Sequence, residues 1–407
     1  MTIMKRLADI LLYVAALLLL AACTDDADVY NTPAASKGNL CVYVPVTRGD
    51  DGNSQSDIAS GNPTYNATVD ECQVNDLWLY AFPQDGDGTL LSQQLTAPSA
   101  ANMLNENVAT YQLQIQPGTY RVYVVANMNS VLEQDDITTE DDLKNVVLGY
   151  QPPQQPGMPS AKNLPMIYEP ATLNADGTAT DGTTKVTAND KQPAVVTANL
   201  RFTCVKVRLN LIYDPNDADM DATMKASGLS INKILGEKLS PSTKLVWNRK
   251  FTDSDITSDY AEGFESTLYD AAAASGDGKF FSSWEENAAN ANVNDKDIIT
   301  VADGDGTPRP VDNKQKWLFR ATYYLPERYV AHAAQQSALK IEGSVGGNFD
   351  NSYNISLGHK NNEADASEVP TFPRSTYYEI VGRIKTMGSI NLDCIVGVKD
   401  WEPMTVE

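Results

Sequence analysis

The chain has 407 residues and a formal net charge of −22, with 53 acidic side chains against 31 basic ones. Such an acidic surface repels phosphate groups, which disfavours nucleic acid and anionic lipid as binding partners. Hydrophobic residues make up 42% of the chain, with 19 tyrosines and 5 tryptophans, and this content argues against disorder and for a folded core.

The first 22 residues have the build of an export signal. Two basic residues precede the apolar run 10–20, which is shorter than the roughly 20 residues of a spanning helix. The run ends in Leu-Ala-Ala before Cys23, and this quartet resembles the bacterial lipobox, in which the cysteine is acylated. We expect a lipoprotein signal peptide at 1–22, a lipid such as palmitate on Cys23, and a flexible tether at 23–38. The alternative is an ordinary signal peptide with a chance cysteine.

The remaining chain is too long for one ordinary core, which favours two domains. Its apolar residues alternate with other residues in a period of two, which is typical of strands with one buried face. The clearest alternating segments are 40–46, 205–211 and 390–398. We therefore predict an all-β fold of two β-sandwich domains in tandem, at residues 39–195 and 196–407, with a few short helices.

Two local features refine this prediction. Thr139 is followed by Asp141 and Asp142, a pattern that caps helices, which predicts a short helix within 138–147. Two weaker helical segments are the alanine-containing stretches 268–273 and 329–338. Pro45 cannot donate a backbone hydrogen bond, which favours an edge position for the first strand.

The residues that catalysis or metal binding requires are sparse. The two histidines, His332 and His359, are interpreted as surface or loop residues, and the acidic loop 214–221 lacks the glycine of an EF-hand. Beyond Cys23, four cysteines allow two disulfides in any of three pairings, or serve as small buried hydrophobic residues. They are Cys41, Cys72, Cys204 and Cys394. We expect no catalytic residue, cofactor or metal ion. The abundant carboxylates leave a glycosidase with two paired carboxylates as an alternative.

Several segments, in their order along the chain, resemble the fimbrillin-type pilins (type V pili) of Bacteroidales bacteria. The first is the strand 39–48, which ends in Thr-Arg, and the last is Val-Lys-Asp-Trp at 398–401. Between them lie the matching segments 74–82, 111–115, 118–127, 164–166, 205–211, 323–327 and 377–384.

The resemblance implies a lipoprotein of two transthyretin-like sandwich domains that polymerises by strand exchange. A protease would cut between Arg48 and Gly49, in a polar loop of the kind where nicking occurs. The first strand would then be removable through its alternating residues Leu40, Val42, Val44 and Val46. In this family the donor comes from the C-terminal end. Here the candidate donor residues are Ile390, Leu392, Cys394, Val396 and Val398, or the tail 401–407.

The sequence thus predicts a non-enzymatic subunit of a cell-surface fimbria that supports adhesion. Its partners are other pilin subunits, joined by strand addition, and the outer membrane before processing. The alternative is a surface glycan-binding lipoprotein of a polysaccharide-uptake system, which needs an exposed aromatic platform. The five tryptophans are scattered, at 78, 247, 284, 317 and 401, which does not favour such a platform.

Overall fold

The computed structural model describes most of the chain beyond the predicted signal and tether. The described residues are 38–46, 65–66, 70–84, 88–99, 101–105, 108–132, 137–149, 163–170, 182–213, 229–246, 263–273, 275–276, 279–280, 316–330, 332–345, 350–358, 369, 371–384 and 392–402. They form two sandwiches of mostly antiparallel strands, and the predicted all-β fold is confirmed.

The first sandwich is built from two sheets. One sheet contains, in spatial order, β11 (Ala194–Thr197), β1 (Leu40–Pro45), β6 (Val108–Leu113) and β5 (Met103–Asn105). The other contains β12 (Arg201–Phe202), β9 (Met166–Tyr168), β7 (Gly118–Ala126), β3 (Leu77–Pro83) and β4 (Leu91–Leu95), with β10 (Thr183–Val186) also paired to β7. Alternate side chains of both sheets meet in one buried core, as expected for sheets packed face to face.

The second sandwich also has two sheets. One contains β18 (Lys279–Phe280), β19 (Lys316–Pro326), β13 (Cys204–Tyr213), β22 (Thr376–Ile384), β23 (Leu392–Glu402) and β2 (Tyr65–Asn66). The other contains β17 (Ser275–Gly276), β16 (Phe264–Asp270), β14 (Leu229–Leu239), β20 (Ala338–Val345) and β21 (Asp350–Ser356). The alternating residues of β13, such as Val207 and Leu209, lie in the core with Ile234 and Ile341.

Strand pairing crosses the boundary between the two halves of the chain. The predicted division at residue 195 falls inside β11, and both β11 and β12 pair with strands of the first sandwich. The change to the second sandwich therefore comes where β13 begins. β8 (Val147–Gly149), from the first half of the chain, pairs with β15 (Ser242–Lys244) from the second half.

Helices are few and short. α1 (Asn129–Leu132) and α2 (Glu140–Asn145) cover the outer face of the β7 sheet. The capping box of α2, formed by Thr139 and Asp142, confirms the predicted helix. The predicted helix at 268–273 is wrong, because residues 268–270 belong to β16, which pairs with β14, and residues 271–273 form a turn. Only a 3₁₀ turn at Ala333–Gln335 forms within 329–338 among the described residues. Among the described residues, no helix has the length and apolar character needed to cross a membrane.

Candidate functional site

The first strand lies inside its sheet. Residues 40–43 run parallel to β11 on one side and antiparallel to β6 on the other. The predicted edge position is therefore wrong for this stretch. Pro45 lies past the end of β11, opposite Val108 of β6, so its missing N–H does not interrupt a ladder that is bonded on both sides. We call the space that β1 occupies between β6 and β11 the β1 slot.

The inward side chains of β1 are completely buried. Leu40, Val42 and Val44 are each 0% exposed and belong to the core of the first sandwich. At roughly 1.5–3 kcal/mol for each buried aliphatic side chain, they contribute roughly 5–9 kcal/mol of hydrophobic burial. Val46 lies beyond β1, is half-buried, and packs against the same core.

The opposite face of β1 is buried as well. Cys41 and Tyr43 pack with Val108 and Leu104 in a small apolar cluster. Burial raises the pKa of the Cys41 thiol above its ordinary value. Cys41, Cys72 and Cys204 are buried thiols that are not joined in disulfides, while the surroundings of Cys394 lie outside the described side chains. The cysteines described here therefore act as small core residues.

A buried asparagine fixes the start of β1, and the sequence reasoning missed it. Asn39 is 0% exposed, and its amide hydrogen-bonds the backbone of Ile115 and of Thr187. The backbone carbonyl of Asn39 accepts a further hydrogen bond from the N–H of Ala194. In the sequence this residue looks like any polar residue ahead of a strand, so no local signal distinguishes it.

The candidate donor segment lies at the far end of the chain, in the second sandwich. β23 pairs antiparallel with β22 along Leu392 to Asp400, and on its other side it pairs with β2 only at Trp401 and Glu402. Among the described residues, β23 is thus an edge strand over most of its length. Leu392, Cys394, Val396 and Val398 lie in it, and Ile390 lies outside the described residues.

Three other predicted positions fall outside the described residues. They are the lipid acceptor Cys23 and the two residues of the cleavage junction, Arg48 and Gly49. The described chain ends at Val46 on the approach to that junction and resumes at β2.

A buried ion pair links the two sandwiches. Glu71 precedes β3 of the first sandwich, and Lys206 lies on β13 of the second; their side chains are 1% and 3% exposed and form an ion pair. The Tyr324 hydroxyl donates to the same carboxylate over 2.6 Å, and the Lys206 ammonium lies 5.5 Å from the ring centre of Tyr377. Removing either charge would leave the other buried without its main partner, which is costly.

A second buried charge cluster stands beside it. The guanidinium of Arg374 binds both carboxylate oxygens of Glu327 and donates to the backbone carbonyl of Leu245 over 2.8 Å. Thr243 of β15 donates to the Glu327 carboxylate and accepts from Arg374. Because β15 pairs with β8, this cluster also supports the joint between the two halves of the chain.

One carboxyl group beside the candidate donor strand responds to pH. Glu379 of β22 lies opposite Gly397 of β23 in the register. Burial raises the pKa of Glu379 to about 7, against the opposing effect of Arg208, whose Nε lies 3.9 Å away. Asn210 donates to this carboxyl from β13. The charge next to β23 therefore changes close to neutral pH.

The described residues offer little for the alternative functions. Trp78 is half-buried, stacks on Tyr80 and donates its indole N–H to Asn129 over 2.6 Å, so it is held within the fold rather than on a flat platform. Trp247 and Trp284 lie outside the described residues, as do the side chains of Trp317 and Trp401.

Only one of the two histidines lies among the described residues. His332 begins an exposed 3₁₀ turn, and His359 lies outside the described residues. Within the described part of the chain, no three His, Cys, Asp or Glu side chains are grouped to hold a metal ion.

Comparison with models of protein families and with curated proteins gave no match. Solved structures similar to this chain include a proposed cell adhesion protein of Bacteroides eggerthii, with 14% identity, a TM-score of 0.47, and coverage of 90% of this chain and 98% of that chain. The tip fimbrial protein Mfa3 of Porphyromonas gingivalis, with a C-terminal truncation, has 13% identity and a TM-score of 0.45, covering 89% and 100%. A proposed cell adhesion protein of Parabacteroides distasonis has 11% identity and a TM-score of 0.47, covering 92% and 100%.

Proposed function

We propose that this chain is a structural subunit of a cell-surface fimbria and that its subunits join by exchanging a β-strand at the β1 slot. The observation that carries the proposal is the slot itself. β1 is short, it is the first of the described strands, and its completely buried inward side chains fill a gap between two strands.

The two-sided pairing of β1 favours a replacement over a simple loss. If β1 left, both β6 and β11 would present unpaired backbone groups to the gap, and a row of core side chains would face water. An incoming strand restores hydrogen bonds on both flanks as well as burial, which is strand addition in its most enclosed form. With roughly 5–9 kcal/mol of hydrophobic burial to regain, occupied slots are strongly preferred to empty ones.

In this proposal, cleavage of the chain determines when β1 can leave its slot. A strand held on both sides does not leave while it is covalently continuous with the rest of the fold. We propose that a protease cuts after Arg48 and so converts β1 into a separate segment that a neighbour's strand can displace. Before the cut, Cys23 would hold the subunit at the outer membrane through its lipid.

The donor in this proposal is the C-terminal segment of a neighbouring subunit, with residues 390–398 as the first candidate. β23 occupies an edge, so that over Leu392–Asp400 its release from its own sheet breaks the ladder with a single neighbour among the described strands. Adhesion follows from the polymer's place at the cell surface.

The proposal is tested by treating the purified precursor with an arginine-specific protease and resolving the products under mild, non-denaturing conditions. We expect ladders of regular increments, and N-terminal sequencing of the polymer should begin at Gly49. The Arg48→Ala variant should form no ladder, whereas Arg201→Ala, which removes an exposed arginine elsewhere, should form one normally. Ladders of equal intensity in the Arg48→Ala variant would contradict the proposal.

The lipid anchor has its own test. The precursor expressed in a lipoprotein-processing host should incorporate labelled palmitate, and a Cys23→Ser variant should lose the label and leave the membrane fraction. Retention of the label in that variant would rule out Cys23 as the acceptor.

A further inference from the structure

Asn39 uses every polar atom of its side-chain amide in hydrogen bonds at the mouth of the β1 slot. Its Nδ2 donates to the carbonyl of Ile115 and to the carbonyl of Thr187, each over 2.8 Å, and its Oδ1 accepts from the N–H of Ile115 over 2.9 Å. Both donor hydrogens and the acceptor of the amide are therefore used. The side chain joins the start of β1 to the turn between β6 and β7 and to the segment after β10.

This amide settles a question that apolar alternation leaves open. A strand with aliphatic residues at every second position presents the same face after a shift of two residues, so alternation alone does not fix its register. The Asn39 amide fits in only one register, because the three backbone groups that it bonds are held in place on neighbouring segments of the same fold. Without the amide, the N–H and the carbonyl of Ile115 lose a partner in a buried place, and each such loss is costly. The carbonyl of Thr187, at an exposed residue, loses its partner as well.

The C-terminal segment repeats the pattern that begins at Asn39. In the sequence, Asn39 and Leu40 are followed by aliphatic residues at 42, 44 and 46, and Asn391 and Leu392 are followed by Cys394, Val396 and Val398 at the same spacing. The side chains of the second segment are thus matched by sequence position to the inward side chains of the first. Asn391 thus stands where Asn39 stands in the first segment, and its amide has the same donor and acceptor atoms.

We propose that the Asn39 amide sets the register of whichever strand fills the β1 slot, and that the segment beginning at Asn391 of a second copy of this chain fits the slot because it supplies the same amide. This inference rests on the proposed strand exchange and names its partner strand and alignment.

The alignment has two consequences at its ends and on its outer face. Ile390 falls at the position of Gly38, where a Cβ atom would lie 2.3 Å from the carbonyl oxygen of Leu113, so the incoming chain must leave the path of Gly38 before Asn391. Asp393 takes the position of Cys41, which is 3% exposed, and replacing this aspartate with cysteine should tighten binding.

A competing alignment, shifted by two residues, would keep a glycine in place of Gly38. It puts Gly388 there and Ser389 in the position of Asn39. A serine hydroxyl offers one donor hydrogen, so it cannot serve both carbonyls. That alignment also moves both Asn391 and Asp393 into the apolar cluster of Cys41 and Tyr43, whereas the first alignment places only Asp393 there.

The two alignments predict opposite effects of one substitution. The purified chain, cut after Arg48 with the cut verified by mass spectrometry, is mixed with a synthetic peptide of residues 388–399. Peptide binding and release of the 23–48 fragment are measured. We expect the Asn391→Leu peptide to bind about 10–100-fold more weakly, because it leaves buried backbone groups unpaired, and the Ser389→Ala peptide to bind like the parent. Tighter binding of Asn391→Leu, or equal binding of both, would overturn the inference.

A peptide of β1 itself, residues 38–48, separates this inference from the proposed function. We expect this peptide to rebind, which would show that the slot can be refilled. We expect Asn39→Leu to weaken its binding about tenfold or more, which measures the contribution of the amide directly. If it rebinds while the 388–399 peptide does not, the proposed partner segment is wrong and strand exchange stands. If neither peptide binds, exchange at this slot is wrong as well.

Discussion

β1 and β23 carry the same alternation of apolar residues, yet they hold opposite places in their sheets. β1 lies between two partners and buries both faces, whereas β23 lies along β22 with a second partner only at its last two residues. Alternation specifies which side chains face a core. It does not specify how many neighbours a strand has, because that depends on segments far away in the sequence.

This difference in pairing suits different roles for the two strands in the proposed assembly. A strand with two neighbours is hard to dislodge and leaves a demanding gap when it goes. A strand with one neighbour is easier to release and ready to pair elsewhere. The proposed assembly uses this difference, with the β1 slot as the receptor and β23 as the donor.

The comparison breaks down if the two sandwiches do not act as one unit, and Glu71→Gln tests this with the largest expected effect. The change leaves the Lys206 ammonium buried without its carboxylate, which should cost about 3–5 kcal/mol in the free energy of unfolding. Chemical denaturation monitored by tryptophan fluorescence measures it. The control is Glu265→Gln, at an exposed carboxyl of β16; equal losses in the two variants would show that the pair links nothing.

Truncating an inward residue of β1 tests how tightly that strand is held. Leu40→Ala should lower the free energy of unfolding by about 2–5 kcal/mol, because it opens a cavity in a core that excludes water. Val195→Ala on neighbouring β11, at a side chain 55% exposed, should change it by no more than about 0.5 kcal/mol. A small effect of Leu40→Ala would mean that β1 contributes little to the first sandwich.

The stability of the sheet next to β23 should depend on pH through Glu379, which has no counterpart described beside β1. The pKa of Glu379 is raised to about 7 in the folded chain, so between its ordinary value near 4.5 and about 7 the folded state binds more protons than the unfolded state. Its contribution to stability is therefore present at low pH and is lost as pH rises through this window, by an amount of order 1–3 kcal/mol. Because other groups also titrate, the quantity to measure is the difference from Glu379→Gln, which should be small at pH 5 and favour the variant at pH 8. A difference independent of pH would contradict the raised pKa.

Hydrogen exchange gives the smallest but most local signal. Amides of residues 41–43 should all exchange slowly, since β1 has a neighbour on each side. Along β23 every second amide points away from β22 and should exchange at least about tenfold faster than those between. Uniform protection along β23 would indicate a second neighbour over its whole length.

Much of the fold follows from local sequence, and α2 shows why. The side chains of Thr139 and Asp142 each accept a hydrogen bond from the other residue's backbone N–H. The two residues are only three positions apart, so the sequence signal lies within the turn that it predicts. The stretch 268–273 shows the converse. Its alanines favour a helix, but residues 268–270 pair with β14 and β17 as part of β16, and the alanines at 271–273 form the turn between β16 and β17. Strand pairing thus takes precedence over intrinsic propensity.

The details of the candidate site were less accessible to sequence reasoning. The neighbour that makes β1 an interior strand comes from about 150 residues further along the chain, and Asn39 bonds groups 76 and 148 residues away. Glu71 and Lys206 likewise meet only through the packing of one sandwich on the other. Each depends on contacts between distant segments, for which one sequence carries no periodic signal.

β11 also gives the molecule a mechanical continuity. The chain leaves β11, passes through β12 and within seven residues becomes β13, a strand of the second sandwich with a partner on each side. In the proposed polymer, tension along the strand in the β1 slot would load its hydrogen bonds to the parallel strand β11 together, in shear, rather than one at a time. The tension then enters the second sandwich through covalent backbone, at the strand best placed to spread it.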